Sequence, residues 1–500
     1  MTTTDTSSLT NTLLLGKGNA SPFVRMLANK ANRHGFIAGA TGTGKTITLK
    51  IIAEQFSKMG VPVILTDVKG DLSGCAAGGT DHPKIKERVD GIGLNDFQFQ
   101  QYPVTFWDVY GKAGHSIRTT ISEMGPLLLA RLFELNETQE SILMTLFKIA
   151  DDEGYLLIDL PDLKAMLQLV DDDGETFEKE YGRMSRASLQ AILRKITALE
   201  AQGADQFFGE PAIRLFDFMK TDHTGKGHIN LIDSRELFNQ PRLYATVLLW
   251  LLSELFESLP EIGDPEKPRL VLFFDEAHLL FNDLPKAVLD KLRQVVRLIR
   301  SKGVSVFFVT QNPADLDDEV LGQLGNRIQH ALRIVTPKDR KALKALVDGF
   351  PETKDLDLEE VIPSLKVGEA VISVLDSEGK PTLPEQTWMV PPESSMKPLS
   401  DGERQALIQK SMLYGQYDES IDRESAHELV EKRLAQREQE LEEAAQLKEE
   451  EKAQRKAAKA KGQKSRRQSP QEAFMKSVLR SVGSSLGRQI ARGILGSIKF

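Results

Sequence analysis

The sequence predicts an α/β protein built on a mostly parallel sheet, and three observations carry that expectation. Gly39–Thr46 spell the G-x-x-x-x-G-K-T pattern of a phosphate-binding loop, set between the short apolar run Phe36-Ile37-Ala38 and a helical stretch opening at Thr46. Continuous apolar runs at Val61–Thr66, Leu270–Phe274 and Val304–Thr310 have the character of strands buried on both faces. Each run leads into polar groups, respectively Asp67, the pair Asp275-Glu276, and Gln311. Ligands of open α/β sheets bind at those carboxyl ends.

Taken in order, residues 1–20 form a short arm whose Leu13-Leu14-Leu15 reads as an edge strand or lead-in, and no domain is expected before the loop. A phosphate chain carries several negative charges at close range. A cradle for it needs many backbone N–H donors, so Gly39, Ala40, Thr41, Gly42, Thr43, Gly44, Lys45 and Thr46 are the candidate binding residues, with glycines where the backbone must bend. The following helix adds its positive N-terminal end, Lys45 can reach the β and γ phosphates, and the Thr46 hydroxyl can ligate Mg²⁺. After Val61–Thr66, the run Asp67-Val68-Lys69-Gly70-Asp71 places Asp67, Lys69 and Asp71 at a strand end, either as the rim of the same site or simply as turn chemistry. Residues 72–115 are rich in glycine and polar groups, with a strand expected over Tyr102–Trp107.

From Ser116 to Leu259 apolar residues recur at three- and four-residue steps, with helices expected at 161–170, 184–201 and 241–258. Inside this block Gly225–Asp233 reads as a turn plus a short strand, and His223 and His228 lack ligand-spaced partners. At the end of Leu270–Phe274, Asp275 can hold the hydration shell of Mg²⁺ while Glu276 polarises a water for in-line attack. Gln311 can sense the terminal phosphate or orient that water. A last short strand over Leu324–Arg333 carries Arg327 and Arg333, candidates for an arginine supplied across a subunit boundary, with Arg297 and Arg300 behind them; a surface or salt-bridge role is the alternative for each.

Composition bounds the function classes. The chain has 500 residues, 40% hydrophobic and 27% charged, enough for one large or two modest cores of a soluble protein. Its single cysteine, Cys75, excludes an intrachain disulfide and a thiolate cluster, so a cytoplasmic location is expected. There is no signal-peptide pattern and no apolar run of about eighteen residues, so neither export nor membrane spanning is expected. A formal net charge of −8 conceals a basic tail: from Lys452 onward there are 13 basic residues and one acidic residue, Glu472.

Several of these motifs together resemble one known group. Arg33-His34-Gly35 leading into the loop, Asp67-Val68-Lys69-Gly70-Asp71, Phe273-Phe274-Asp275-Glu276-Ala277-His278-Leu279-Leu280-Phe281, Thr310-Gln311-Asn312-Pro313 and Leu365-Lys366-Val367-Gly368-Glu369-Ala370 are similar to the HerA/FtsK superfamily of ring ATPases, over about residues 10–395. The closer resemblance is to its HerA-like helicase C-terminal branch. The resemblance implies an additional-strand (RecA/FtsK-like) P-loop NTPase sheet, and Mg-ATP hydrolysis by Lys45, Thr46, Asp275, Glu276 and Gln311. It also implies self-assembly into a hexameric ring and movement of duplex DNA. HerA proper carries an N-terminal β-barrel that is not expected here, and the long helical insert and the tail are additions.

Beyond the core, 397–422 reads as a polar linker and 423–461 as a charged helix. Leu434 and Leu441 are seven apart, but His427 and Lys448 interrupt the seam, so a solvated helix is expected over a coiled coil. Gly462–Pro470 is a basic break. In Phe474–Phe500 an apolar stripe at four-residue steps runs beside a basic ladder, fitting a helix that docks on the chain's own subunits, lies on an anionic membrane surface, or tracks nucleic-acid phosphate with its basic side. The expected organisation is a first part of the ATPase core over 1–115, a mainly helical insert over 116–260, the second part of the core over 261–396, linker and charged helix over 397–470, and a basic amphipathic helix over 471–500. ATP hydrolysis coupled to DNA translocation or helicase action leads. The competing readings are a phosphotransferase, a nucleotide-gated scaffold, and an ATPase acting on protein or at a membrane face.

Overall fold

A computed structural model of the chain describes residues 11–281 and 286–460. The expected break at 462–470 and the basic helix over 471–500 lie outside the described residues. The described residues fall into two units that divide between Val430 and Glu431.

The first unit is organised by one sheet. Its strands are β1 (Thr12–Gly18), β2 (Val24–Leu27), β3 (Gly35–Ala38), β4 (Val63–Asp67), β5 (Val104–Asp108), β6 (His115–Ser116), β7 (Ile229–Asp233), β8 (Leu270–Phe274), β9 (Val304–Thr310), β10 (Asn326–Gln329), β11 (Glu369–Ser373) and β12 (Glu385–Met389). They lie in the order β2-β1-β12-β11-β10-β3-β9-β8-β4-β7-β5-β6. From β10 to β6 every pairing is parallel, whereas β2, β1, β12, β11 and β10 pair antiparallel. The strand β9 stands between the loop-bearing β3 and the acid-bearing β8, which is the additional-strand arrangement expected from the sequence.

The centre of the sheet is buried on both faces, and its sequence says why: β3, β4, β7, β8 and β9 have no exposed residue. Branched and aromatic side chains fit a pleated surface covered on both sides. Phe273 and Phe307 stack across β8 and β9 with ring centroids 5.1 Å apart. Such a pair adds about 0.5–1.5 kcal/mol beyond the area it buries. One cover is the helix Lys45–Lys58, which opens at the loop; another is Pro241–Ser258, apolar almost all round and buried from Leu243 to Ser253.

Helices expected in the insert form at Leu160–Asp172, Arg186–Glu200 and Pro241–Ser258. Reciprocal capping boxes start three of the insert helices, with Thr120 and Glu123, Asn136 and Gln139, and Asp159 and Asp162 satisfying orphan N–H groups. Each such cap contributes about 1 kcal/mol. The short strand read within this block is β7, and it lies inside the main sheet between β4 and β5.

Three local readings change. The arm strand β1 is second from the edge, because Val24–Leu27 takes the edge position as β2 while β12 covers the other side. The strand read over Leu324–Arg333 is only Asn326–Gln329, so it carries Arg327 but not Arg333, and β11 and β12 follow it. Residues read as a polar linker pack on the body: the helix Asp401–Lys410 buries Arg404, whose Nη1 donates to Asp233 Oδ2 at 2.6 Å, and Tyr417 is buried with its hydroxyl on Asp217. A charged side chain whose partner is 171 residues away leaves no local signature. The charged helix forms over Ala426–Ala460, 35 residues, or about 50 Å at 1.5 Å per residue. Among the described residues, no helix is long and apolar enough to cross a membrane.

His34 fixes the entry to β3. It sits at φ 58°, fully enclosed, with Nε2–H donating to the Val296 carbonyl at 2.9 Å and Nδ1 accepting from the Val306 N–H at 3.0 Å. Both ring nitrogens are used by the neutral tautomer, and burial, with a smaller push from Arg300, lowers its pKa to about 4. Folding therefore excludes a proton that the unfolded chain accepts below pH ~6.5. This contribution is complete above that pH and is lost on acidification toward 4, at about 1.4 kcal/mol per pH unit. Denaturant midpoints of the natural chain and of His34→Gln should thus differ most at pH 7.5 and converge as pH falls to 5. A constant difference would contradict the buried neutral imidazole.

Candidate active site

The loop Gly39–Gly44 connects β3 to the helix Lys45–Lys58 at the carboxyl edge of the sheet. Gly39, at φ 151°, passes so close to His330 that a Cβ there would lie 2.6 Å from the histidine Cβ; Gly44, at φ 122°, directly precedes the helix. The cradle is braced from outside. The Gly368 N–H donates to the Thr43 carbonyl at 3.0 Å, and Arg88 Nη1 holds the Gly368 and Met389 carbonyls at 2.8 Å while stacking on Trp388. Lys45 is buried, its Nζ donating to Gly39 O at 2.7 Å and Ala40 O at 3.2 Å. Burial pulls its pKa down against the opposing pull of Glu276. Thr46 is half-buried at the first turn.

Across β9, the end of β8 delivers the two acids. Asp275 is 2% exposed; its N–H donates to Thr66 Oγ1 at 2.9 Å, and its Oδ1 accepts from the Glu276 N–H at 3.0 Å. Its Oδ2 is buried and has no hydrogen-bond partner. Burial pushes this carboxyl up to about 7, with Lys69 opposing and Glu276 adding to the rise. An orphaned buried carboxylate oxygen at the sheet edge that carries the loop fits a hydrated divalent cation, which Asp275 and the Thr46 hydroxyl would hold; such an ion would neutralise phosphate charge.

Glu276 turns the chain out of β8 in the left-handed region, φ 49°, a conformation that costs a non-glycine residue about 1–3 kcal/mol and aims its carboxylate. Oε1 accepts from Lys69 Nζ at 2.6 Å, and Oε2 faces Gln311 Nε2 at 3.4 Å and His278 Nδ1 at 3.4 Å. Burial pushes the Glu276 carboxyl up, but the hydrogen bond and charge of Lys69 prevail and hold it below the usual carboxylate range. Lys69 shifts up correspondingly: burial lowers it, and the pair with Glu276 more than offsets that.

The structure therefore brings Lys45, Thr46, Lys69, Asp275, Glu276 and Gln311 to one edge. Asp67 serves its turn, accepting from Gly70 N at 2.6 Å and Leu72 N at 3.2 Å. Burial and the nearby Asp71 raise its pKa to about 6. Arg327 is tied within the chain, to the Leu324 and Gly349 carbonyls and over the Phe350 ring, and Arg300 pairs with Asp264 at 3.0 Å. Arg333 and Arg297 are exposed.

Sequence reasoning missed His330, whose Nδ1–H donates to Glu369 O at 2.7 Å while Nε2 accepts from the Thr48 hydroxyl at 2.9 Å, so that a neutral ring walls the loop. It also missed Thr66. The available signals were a histidine one residue beyond a buried strand, and a hydroxyl closing the apolar run before Asp67.

Comparison with known proteins follows the same lines. The family model described as Helicase HerA-like C-terminal matches residues 12–499. The DNA double-strand break repair helicase HerA of Sulfolobus acidocaldarius is 22% identical over 355 residues, covering 70% of this chain and 64% of that protein. The protein of the same description from Sulfurisphaera tokodaii is 24% identical over 358 residues, with the same shares. The chain thus matches less than two thirds of these relatives' own length. Among solved structures, the plasmid coupling protein TrwB in complex with the non-hydrolysable GTP analogue GDPNP superposes with a TM-score of 0.51 at 15% identity, covering 77% of this chain and 92% of that one. That likeness establishes the fold.

The loop geometry predicts an asymmetry between two glycines. Alanine at either Gly39 or Gly42 strains the backbone, but only at Gly39 does the added methyl meet His330, whereas nothing lies within 4 Å at Gly42. Gly39→Ala should lower the thermal midpoint more than Gly42→Ala, by an amount corresponding to about 1–3 kcal/mol of overpacking. Equal shifts would show that His330 does not wall the loop.

Proposed function

The chain belongs to the HerA-like helicase C-terminal family and has the P-loop ATPase fold, and on that premise we propose that it hydrolyses Mg-ATP and couples hydrolysis to translocation along duplex DNA as a hexameric ring in the cytoplasm. The observation that carries the hydrolytic reading is the pairing of the loop with Glu276, held on a left-handed turn across one strand from the cradle. A kinase would also use the loop and Mg²⁺, but would need a second pocket for an acceptor hydroxyl beside the loop.

In this reading the loop N–H groups and Lys45 bind and orient the phosphates. Thr46 and Asp275 hold Mg²⁺, which neutralises phosphate charge. Glu276 takes the proton of the attacking water at a carboxylate oxygen, and the Gln311 side chain orients that water from the adjacent strand. Arg333, exposed just past β10, is better placed than Arg327 to act on a neighbouring subunit's site, because Arg327 is already engaged by its own chain. The DNA substrate is supported by the description of the relatives as DNA double-strand break repair helicases, and the ring by the resemblance of the motifs to ring ATPases.

Lys45→Ala should weaken ATP binding by an order of magnitude or more, while Glu276→Gln should bind ATP and lose turnover by about 10²–10³. Equal loss of affinity in both would refute the assigned roles. Duplex DNA should stimulate the ATPase of the natural chain, and an unchanged rate would remove DNA from the proposal.

If the arginine acts in trans, Arg333→Ala subunits with intact loops mixed with Lys45→Ala subunits with intact arginines should recover part of the rate. Mixtures with Arg327→Ala should instead show a lowered thermal midpoint. Recovery in neither mixture, or only monomer in mass photometry with Mg-ATP, would contradict the ring.

A further inference from the structure

Lys69 has no part in the roles assigned above, yet its ammonium makes the shortest contact of Glu276, Nζ to Oε1 at 2.6 Å. The two partners differ in freedom. The Glu276 side chain is 5% exposed and its backbone is fixed by the left-handed turn, whereas the Lys69 side chain is 42% exposed on a flexible four-carbon stem. The base of that stem is also fixed: Asp67 accepts from Gly70 N and Leu72 N, and Gly70 sits at φ 78° against Arg235, so the turn carrying Lys69 is locked. Only the ammonium end can move. Lys45 follows β3 and Lys69 follows β4, on either side of Glu276 at the end of β8, so both lysines are carried at the same edge of the sheet.

A carboxylate that accepts a short ammonium hydrogen bond is a weaker base toward water, because it must take the proton against that bond and that neighbouring positive charge. A terminal phosphate in the adjoining cradle is a doubly charged competitor for the same ammonium. We propose that Lys69 is an exchangeable counter-ion, paired with Glu276 until the terminal phosphate of a nucleoside triphosphate draws it away and frees the base. Lys69 is thus a positioning residue that tells a triphosphate from a diphosphate. The assignment rests on the reading of this site as an ATPase.

The test is a thermodynamic cycle in binding, read by titration calorimetry with ATPγS and ADP in Mg²⁺. Lys69→Met should weaken ATPγS about tenfold and leave ADP within about twofold, the unchanged ADP affinity also reporting an intact fold. Glu276→Gln, which releases Lys69 from its competing partner, should tighten ATPγS several-fold in the natural background and not at all on Lys69→Met. Lys69→Arg, which keeps the charge, should retain most of the preference for ATPγS. Equal weakening of ATPγS and ADP by Lys69→Met, or the same Glu276→Gln effect in both backgrounds, would overturn the exchange while leaving the ATPase reading intact. A natural chain that binds neither nucleotide would overturn both.

Discussion

The rest of the structure answers to the burial of the Asp275 carboxylate. A charged group at 2% exposure with one unpartnered oxygen is costly in a protein interior, and removing water from it raises its pKa to about 7. The surroundings are arranged around that cost. Thr66, at the end of β4, accepts the Asp275 N–H and so fixes where the carboxylate starts, and the hydroxyl of Tyr244, from the long buried helix, lies 3.4 Å from the same Thr66 oxygen. Two lysines then bring positive charge to the pair of acids from the loop and from the β4 turn. Two lysines thereby offset the two acids, and the parallel sheet holds the four groups at one edge.

That arrangement depends on covering both faces of the sheet. The registers Ala38 opposite Thr310, Phe308 opposite Phe274, and Phe274 opposite Thr66 bring the ends of β3, β9, β8 and β4 to within about two residues of one level. That levelling is what lets a loop after β3 face acids after β8. It is also why β7 matters although it carries no site residue. By pairing with β4 and β5 along their length it keeps β4 in the interior of the sheet, where its end cannot fray, and Asp233 at its own end is neutralised by Arg404 and Arg235.

The parts of this arrangement that were legible in the sequence are those whose cause is local. Apolar runs with polar ends reported β4, β8 and β9, because burial on both faces leaves an unbroken signature, and the loop reported itself because phosphate geometry demands glycine at fixed spacing. The order of strands was legible only through resemblance, since nothing in Val304–Thr310 says that it lies between Phe36-Ile37-Ala38 and Leu270–Phe274. What was not legible depends on distant partners. Arg404 reads as a solvated charge until Asp233 is beside it, His330 reads as one more polar residue among arginines until Thr48 and Glu369 take both ring nitrogens, and Asp67 could have faced the site until its oxygens were found on Gly70 and Leu72.

The same logic bears on how the nucleotide end of the chain is connected to its C-terminal segments. The helix that begins at Lys45 continues through Lys50 and Glu54, both almost fully buried, and these two residues grip the chain as it leaves β12. Glu54 accepts from the Glu393 N–H at 2.8 Å and the Ser394 N–H at 3.1 Å, while Lys50 donates to the Ser395 carbonyl. Burial raises the Glu54 pKa and the bonds to Ser394 and Glu393 oppose the rise, so the carboxylate depends on that segment for its solvation. Glu393 in turn accepts from Tyr102 and Lys58. The helix therefore carries the loop at its first turn and a buried clamp about two turns later. The one helix thus ties the loop to residues 393–395 through buried contacts, and the helix Asp401–Lys410 with its buried Arg404 follows shortly after.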